Sequence, residues 1–317
     1  MAAFKHCQPN TPRAGEGVTP AVSTLADDGN LCGEAPLWDA TRQRLYWTDI
    51  VGCKLYALDL RSRRKTVVLE NFEVCGCAFD SCNGLTLANS SGVWVWRPPA
   101  DPVLIASEVA GMKLKINDCI ADPEGRLLAG SAFYTPTESY PLGKLFCIHP
   151  NGKVQILDEG FHLANGLGFS PDGRTLYFTD SIQRTIYSYS YEALEGLVRD
   201  RRMFVQVDRS SGIPDGLTVD AEGYVWSAEW YGGCICRYDP DGKLERRIAL
   251  PAKQTSSLAF GGPDLTDIFV TSAAQPEPMP IMPPGYDPYL GCIGGALYHL
   301  NLGIAGCVEY RTRFHVR

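Results

Sequence analysis

The chain contains no uninterrupted apolar run approaching the ~18 residues that a membrane-spanning helix requires. Its first residues, MAAFKHCQPNTPRAGEGV, also lack the apolar core of a secretion signal. A cytoplasmic protein with no membrane partner is therefore expected. Positive charge is in deficit: 29 Lys and Arg against 36 Asp and Glu leave a net charge of -7, which argues against a nucleic-acid partner because phosphate-binding surfaces concentrate Lys and Arg. The densest basic run, Arg61 to Lys65, follows a strand signal and reads as a solvated turn. The five histidines, His6, His149, His162, His299 and His315, are too dispersed for a metal cluster. No G-x-S-x-G nucleophile elbow occurs, which disfavours a serine-hydrolase route. Helical periodicity is also missing; the nearest candidate, EALEGLVRD at Glu192 to Asp200, allows a single turn.

Cysteine is present but unpatterned. Twelve cysteines are scattered from Cys7 to Cys307, and without a secretion signal they are expected to be reduced thiols. The pairs Cys75/Cys77 and Cys234/Cys236 share one face of a strand and lack the C-x-x-C geometry of zinc or redox loops, so they read as buried thiols.

What the chain does contain is a core-forming composition, 45% hydrophobic and 21% charged, arranged in a repeat. Short apolar strands ending in a polar turn recur as GEAPLWDATRQRLYWTD from Gly33, CGCAFDSCNGLTLAN from Cys75, NDCIADPEGRLLAGS from Asn117, NGLGFSPDGRTLYFTD from Asn165, DGLTVDAEGYVWSAE from Asp215 and SSLAFGGPDLTDIFVTS from Ser256. Third strands such as KLYALDL and TIYSYSY follow, then fourth strands such as KTVVLE and KVQILDE. The turn positions 39, 80, 122, 170, 220 and 261 are 41 to 50 residues apart, the size of a four-stranded propeller blade. The expected fold is all-β, a six-bladed β-propeller of four-stranded antiparallel blades, forming a single domain over 1–317 with residues 1–16 as a flexible N-terminal segment. The outer strand of the last blade comes either from AVSTLAD near the start or from CVEYRTRF near the end. Assembly as a monomer or small homo-oligomer is left open.

Five residues before each turn stand Glu34, Cys75, Asn117, Asn165, Asp215 and Ser256. Inner strands line a propeller's central channel, so these equivalent starting residues form a ring at one mouth. Two carboxylates and two carboxamides there supply the oxygen donors preferred by hard divalent cations. Asn and Asp at strand starts also cap turns, but turn chemistry does not select Glu34 between Gly33 and Ala35-Pro36.

At these residues the chain resembles the gluconolactonase family, which includes regucalcin-type senescence marker proteins and bacterial sugar lactonases. The likeness runs from Gly33 to Ala273 and rests on GEAPLW, the K-x-N-D stretch Lys115 to Asp118, ANGLGFSPDG, IPDGLTVDAEGYVW and FGGPDLTDIFVTSA. It implies one divalent metal ion, Ca, Zn, Mg or Mn with Ca favoured, held by Glu34, Asn165 and Asp215. It further implies hydrolysis of a sugar-derived lactone, with Asp215 directing the attacking water and Asn117 beside the metal contacting substrate. Lys115 stands where the family commonly has Arg, exchanging a planar two-pronged contact for a point charge. The alternatives are a non-catalytic calcium-binding regulatory protein and a phosphotriesterase-like hydrolase.

Loops between second and third strands should overhang the metal mouth: Phe133 to Gly143 in blade 3, with Tyr134 and Tyr140, and Gln275 to Cys292 in blade 6, with Tyr286 and Tyr289. Glu229 and Trp230, ending a second strand, are expected to point there as substrate contacts. His162, three residues before Asn165, is expected to be structural.

Overall fold

Aspartates at the end of the inner strands begin the fold. Asp39 Oδ1 accepts the backbone N–H groups of Thr41 and Arg42, both at 3.0 Å, and Asp122 and Asp220 fold the chain back in the same way. These Asx turns satisfy donors that would otherwise be stranded at a reversal. The carboxylates then take a guanidinium: Arg42 reaches Asp39 at 2.7 Å, Arg97 reaches Asp80 at 2.6 Å, Arg126 reaches Asp122 at 2.6 Å and Arg237 reaches Asp220 at 2.7 Å. One turn chemistry is thus repeated in four blades.

The structure, a computed structural model, describes residues 21–132, 143–279 and 281–316. The expected N-terminal segment 1–16 lies outside the described residues, as do Tyr134 and Tyr140. Among the described residues there is no helix, and EALEGLVRD belongs to a hairpin joining strands Thr185–Glu192 and Leu197–Gln206. Among these residues no helix is long and apolar enough to cross a membrane.

Apart from a two-stranded ribbon of Glu108–Val109 and Met112–Lys113, the described strands form six small sheets of four antiparallel strands, one with a short parallel strand added, the blades of a six-bladed β-propeller. Their inner strands are Gly33–Asp39, Gly76–Asp80, Ile116–Ala121, Ala164–Phe169, Ile213–Val219 and Thr255–Gly261. Aromatic contacts join neighbouring blades. Phe161 of blade 3 packs edge-on against Phe178 of blade 4 at 4.7 Å, and Trp226 of blade 5 meets Phe260 of blade 6 at 5.8 Å. The ring closes where Trp38 of blade 1 stacks on Phe269 of blade 6 at 5.7 Å. Each fully buried ring of this kind contributes roughly 1.5–3 kcal/mol by leaving water, so the sheets adhere face to face without helices between them.

Ser23–Asp27 supplies the outer strand of blade 6 by pairing with Ala296–Asn301, which decides between the two termini. The C-terminal segment has another task. Gly306 bridges Asp220, Arg311–Thr312 pairs in parallel with Phe79–Asp80, and Arg313 N donates to Gly125 O at 2.8 Å. It crosses the mouth where the inner strands end, opposite the expected metal mouth. A cavity of about 60 Å³ lies behind it, lined in part by Asp118, Glu309 and Tyr310.

Ten described cysteines are free thiols, as expected from the chain's dispersed spacing. Cys292 departs from that expectation: it is disulfide-bonded. Spacing carried no sign of this, because pairing depends on Sγ proximity in the folded chain.

Candidate metal and substrate site

At the start of the inner strands the ladder breaks in a regular way. Register shifts fall between Glu34 and Leu37, Ile116 and Asp118, Asn165 and Leu167, Pro214 and Leu217, and Thr255 and Leu258. In blade 2 the pairing of the inner strand with its neighbour is regular. A β-bulge adds an unpaired residue and re-aims its side chain, and each bulge here coincides with, or adjoins, a residue of the ring.

Two glycines permit the ring to close. A Cβ at Gly166 would stand 2.5 Å from Asp215 O, and one at Gly216 would stand 2.2 Å from Ser257 Oγ. Both separations are below van der Waals contact, so the Gly after Asn165 and the Gly after Asp215 allow adjacent inner strands to touch. The approach to the ring is also held. Asp49 accepts the N–H groups of Leu31 and Cys32 at 3.0 Å, and Asp180 accepts those of His162 and Leu163 at 3.1 and 3.3 Å. His162 bonds Gln183 at 3.0 Å through its ring, in keeping with its structural reading.

Glu34, Asn117, Asn165 and Asp215 line one cavity of about 250 Å³. Glu34 Oε2 accepts Ala35 N at 2.9 Å. Asn165 donates its side-chain amide to Ser181 Oγ at 3.2 Å and to Asp215 Oδ1. Asn117 gives one N–H to Ala164 O at 3.2 Å, keeping its amide oxygen and second N–H for a ligand. Cys75 and Ser256 are absent from the cavity's lining. Blade 2 has no bulge to aim Cys75, and Ser256 Oγ bonds Gly33 O at 2.5 Å and Thr271 at 3.0 Å.

The electrostatics are one-sided. Burial pushes the Asp215 carboxyl well above the usual range, and repulsion from Glu34 and Asp118 adds to this. Glu34 is raised by burial and by Asp118, against the Ala35 hydrogen bond. Asp118 itself is pushed up to about 7 by burial. No Lys, Arg or His appears among the described residues lining the cavity, so the carboxylates call for a cation or for protons. Among the described residues no three His, Cys, Asp or Glu side chains converge as a metal cluster. The Asn165 amide adds a third oxygen donor, hard and of the kind calcium and magnesium accept. Two carboxylates and one amide, with no competing cationic side chain, fit a divalent ion.

Glu229 does not reach the cavity. It is 0% exposed, its Oε1 is 3.5 Å from Tyr238 Oη, and its Oε2 has no hydrogen-bond partner among the described residues. It pairs opposite Pro214, and one step of strand register sends its side chain to the other face from Trp230, which does line the cavity. Lys115 is exposed, just before the inner strand of blade 3, and is not among the lining residues. Tyr286 packs against Tyr231 at 4.6 Å, and Tyr289 is exposed.

Among the further lining residues that went unnoticed in the sequence are Cys32, Glu277 and Met279. The last two belong to the long blade 6 loop, where the sequence singled out tyrosines. Gln254 holds this loop through Ala273 O at 3.1 Å, Gln275 O at 2.8 Å and Glu277 N at 3.4 Å. A buried glutamine at an inner strand's edge was the available signal, but its partners lie some twenty residues onward.

The chain is 33% identical over 291 residues to the pentonolactonase XacC of Haloferax volcanii, covering 92% of this chain and 98% of that protein. It is 32% identical over 263 residues to regucalcin of Xenopus laevis, covering 80% and 87%. Among solved structures, the calcium-binding protein regucalcin from Agrobacterium tumefaciens superposes with a TM-score of 0.81 at 28% identity, covering 93% of this chain and 98% of that one. The family described as the SMP-30/gluconolactonase/LRE-like region matches residues 32–274, and with that match over the blades that carry the ring, the chain belongs to this family.

Proposed function

We propose that the protein is a divalent-metal-dependent lactonase that opens the ring ester of a sugar-derived aldonolactone. The observation that carries this reading is the convergence of Glu34, Asn117, Asn165 and Asp215 on one cavity whose described lining has no cationic side chain. The relative named pentonolactonase supports the substrate class.

Glu34, Asn165 and Asp215 would hold the ion, calcium first among calcium, zinc, magnesium and manganese, and it supplies Lewis-acid polarisation of the lactone carbonyl when bound. Asp215 accepts the proton of the attacking water as that oxygen bonds to the carbonyl carbon. The ring C–O bond then breaks, and the departing oxygen takes that proton back from Asp215 to become the hydroxyl of the open acid. Asn117 offers its second amide N–H to a substrate oxygen. Ile213, Trp230 and Met279 form the apolar side of the cavity, suited to the C–H face of a sugar ring.

A pH-stat screen of gluconolactone, galactonolactone, xylonolactone and arabinonolactone, with and without chelator, tests the reading. Acid release that chelator abolishes and added metal restores is the expected result. A metal-loaded protein that opens none of these compounds favours the second reading, a calcium-binding protein without turnover, which the description of the Agrobacterium relative supports.

A further inference from the structure

The blade 6 loop brings a third carboxylate to the cavity, at its rim. Glu277 lines the cavity and is exposed, and among the described residues its carboxylate accepts no hydrogen bond. Its backbone, by contrast, is clamped. Gln254 Oε1 accepts Glu277 N at 3.4 Å, and the Tyr231 hydroxyl donates to Glu277 O. Two residues on, Met279 is buried in a cluster with Ile213, Trp230 and Tyr231. Arg184 then ties the loop down through Ile281 O at 2.6 Å. Glu277 is therefore held in place by contacts that do not involve its own side chain.

The charge balance of the cavity gives this residue a meaning. A divalent ion on Glu34, Asn165 and Asp215 is matched by two carboxylates, so the charge of Glu277 is left over. No Lys, Arg or His among the described lining residues offsets it. A neutral polyol can donate a hydroxyl hydrogen bond to that carboxylate. A sugar bearing a phosphate, sulfonate or second carboxylate instead brings like charge to it, and unpaired like charge at a binding site is an effective means of rejecting the wrong ligand.

We propose that Glu277 is a specificity-determining residue that restricts the substrate to uncharged aldonolactones and turns away those carrying an anionic group on the sugar chain. This rests on the lactonase reading above.

The test compares kcat/KM for gluconolactone and 6-phosphogluconolactone, which share a ring and differ in one anionic group, in the metal-loaded wild type and in Glu277→Gln and Glu277→Lys. The wild type is expected to favour the neutral compound by at least about tenfold, Glu277→Gln to narrow that ratio by about tenfold, and Glu277→Lys to narrow it further, in line with removing and then reversing one repulsive charge. Added salt should weaken the wild-type discrimination by screening. A wild type that opens both compounds equally, or a Glu277→Gln ratio equal to wild type, overturns the filter while leaving the lactonase reading intact. Failure of the wild type to open either compound or any lactone of the screen overturns the lactonase reading, and the filter falls with it.

Discussion

Asn165 donates its side-chain amide to Asp215 Oδ1, joining two residues that are 50 positions apart in sequence. The contact spans the seam between blades 4 and 5, where a Cβ at Gly166 would stand only 2.5 Å from Asp215 O. On the proposed function it joins two of the residues that would hold the ion.

Replacement of Asp215 by Asn keeps the size of the side chain and removes its charge and basicity. Lactone turnover is expected to fall by about 10²–10⁴-fold, the range associated with a positioned general base. Calorimetric titration should show weakened calcium binding in the same variant. Wild-type turnover in Asp215→Asn would remove this residue from the mechanism.

Metal removal is expected to lower the melting temperature as well as activity. On the proposed function an ion would bind the folded site, and excess metal would then stabilise by mass action, about 2.7 kcal/mol at a hundredfold excess over Kd. Differential scanning fluorimetry across calcium, magnesium, manganese and zinc, with and without chelator, ranks the ions. The ion giving the largest upward shift should also give the highest turnover.

Glu229→Gln should leave kcat/KM for the best lactone within about twofold, because Glu229 is fully buried away from the cavity. Burial, and then Cys236, raises its carboxyl well above the ordinary range. A raised acid stabilises the fold fully below its unfolded pKa and loses that contribution as pH rises toward the folded value. The amide cannot ionise, so the variant's stability relative to wild type should increase with pH in urea titrations. A tenfold loss of kcat/KM with unchanged stability would return Glu229 to the site.

Glu309 gives the same linkage with a defined window. Burial behind the C-terminal segment pushes its carboxyl up to about 7, so its contribution is present below the ordinary glutamate value near pH 4.3 and lost as pH rises to about 7. Glu309→Gln should match wild-type stability near pH 4 and exceed it at pH 8 by up to about 3 kcal/mol. Equal pH dependence in the two proteins would show that Glu309 is not desolvated in the folded state.

The repeat, the blade count and the four polar cavity residues were legible in sequence because each rests on local rules. Strand alternation has a period of two, and the aspartates at 39, 80, 122 and 220 build their turns from neighbouring N–H groups. Counting back five residues from turn positions 39, 122, 170 and 220 was enough to reach Glu34, Asn117, Asn165 and Asp215 without any knowledge of how the blades pack.

Tertiary structure decided the rest. Cys75 and Ser256 share the ring's register yet miss the cavity, one for want of a bulge and the other because its hydroxyl bonds Gly33 O. Glu229 and Trp230 are neighbours in sequence, but only Trp230 reaches the cavity. Glu277 enters from a loop fixed by Gln254 and Tyr231, and Ser23–Asp27, not the C-terminal segment, completes blade 6. In the sequence these alternatives look alike because composition and spacing specify a strand and its turn. The direction of a side chain at a strand's end depends instead on bulges, register and contacts formed only after distant segments meet.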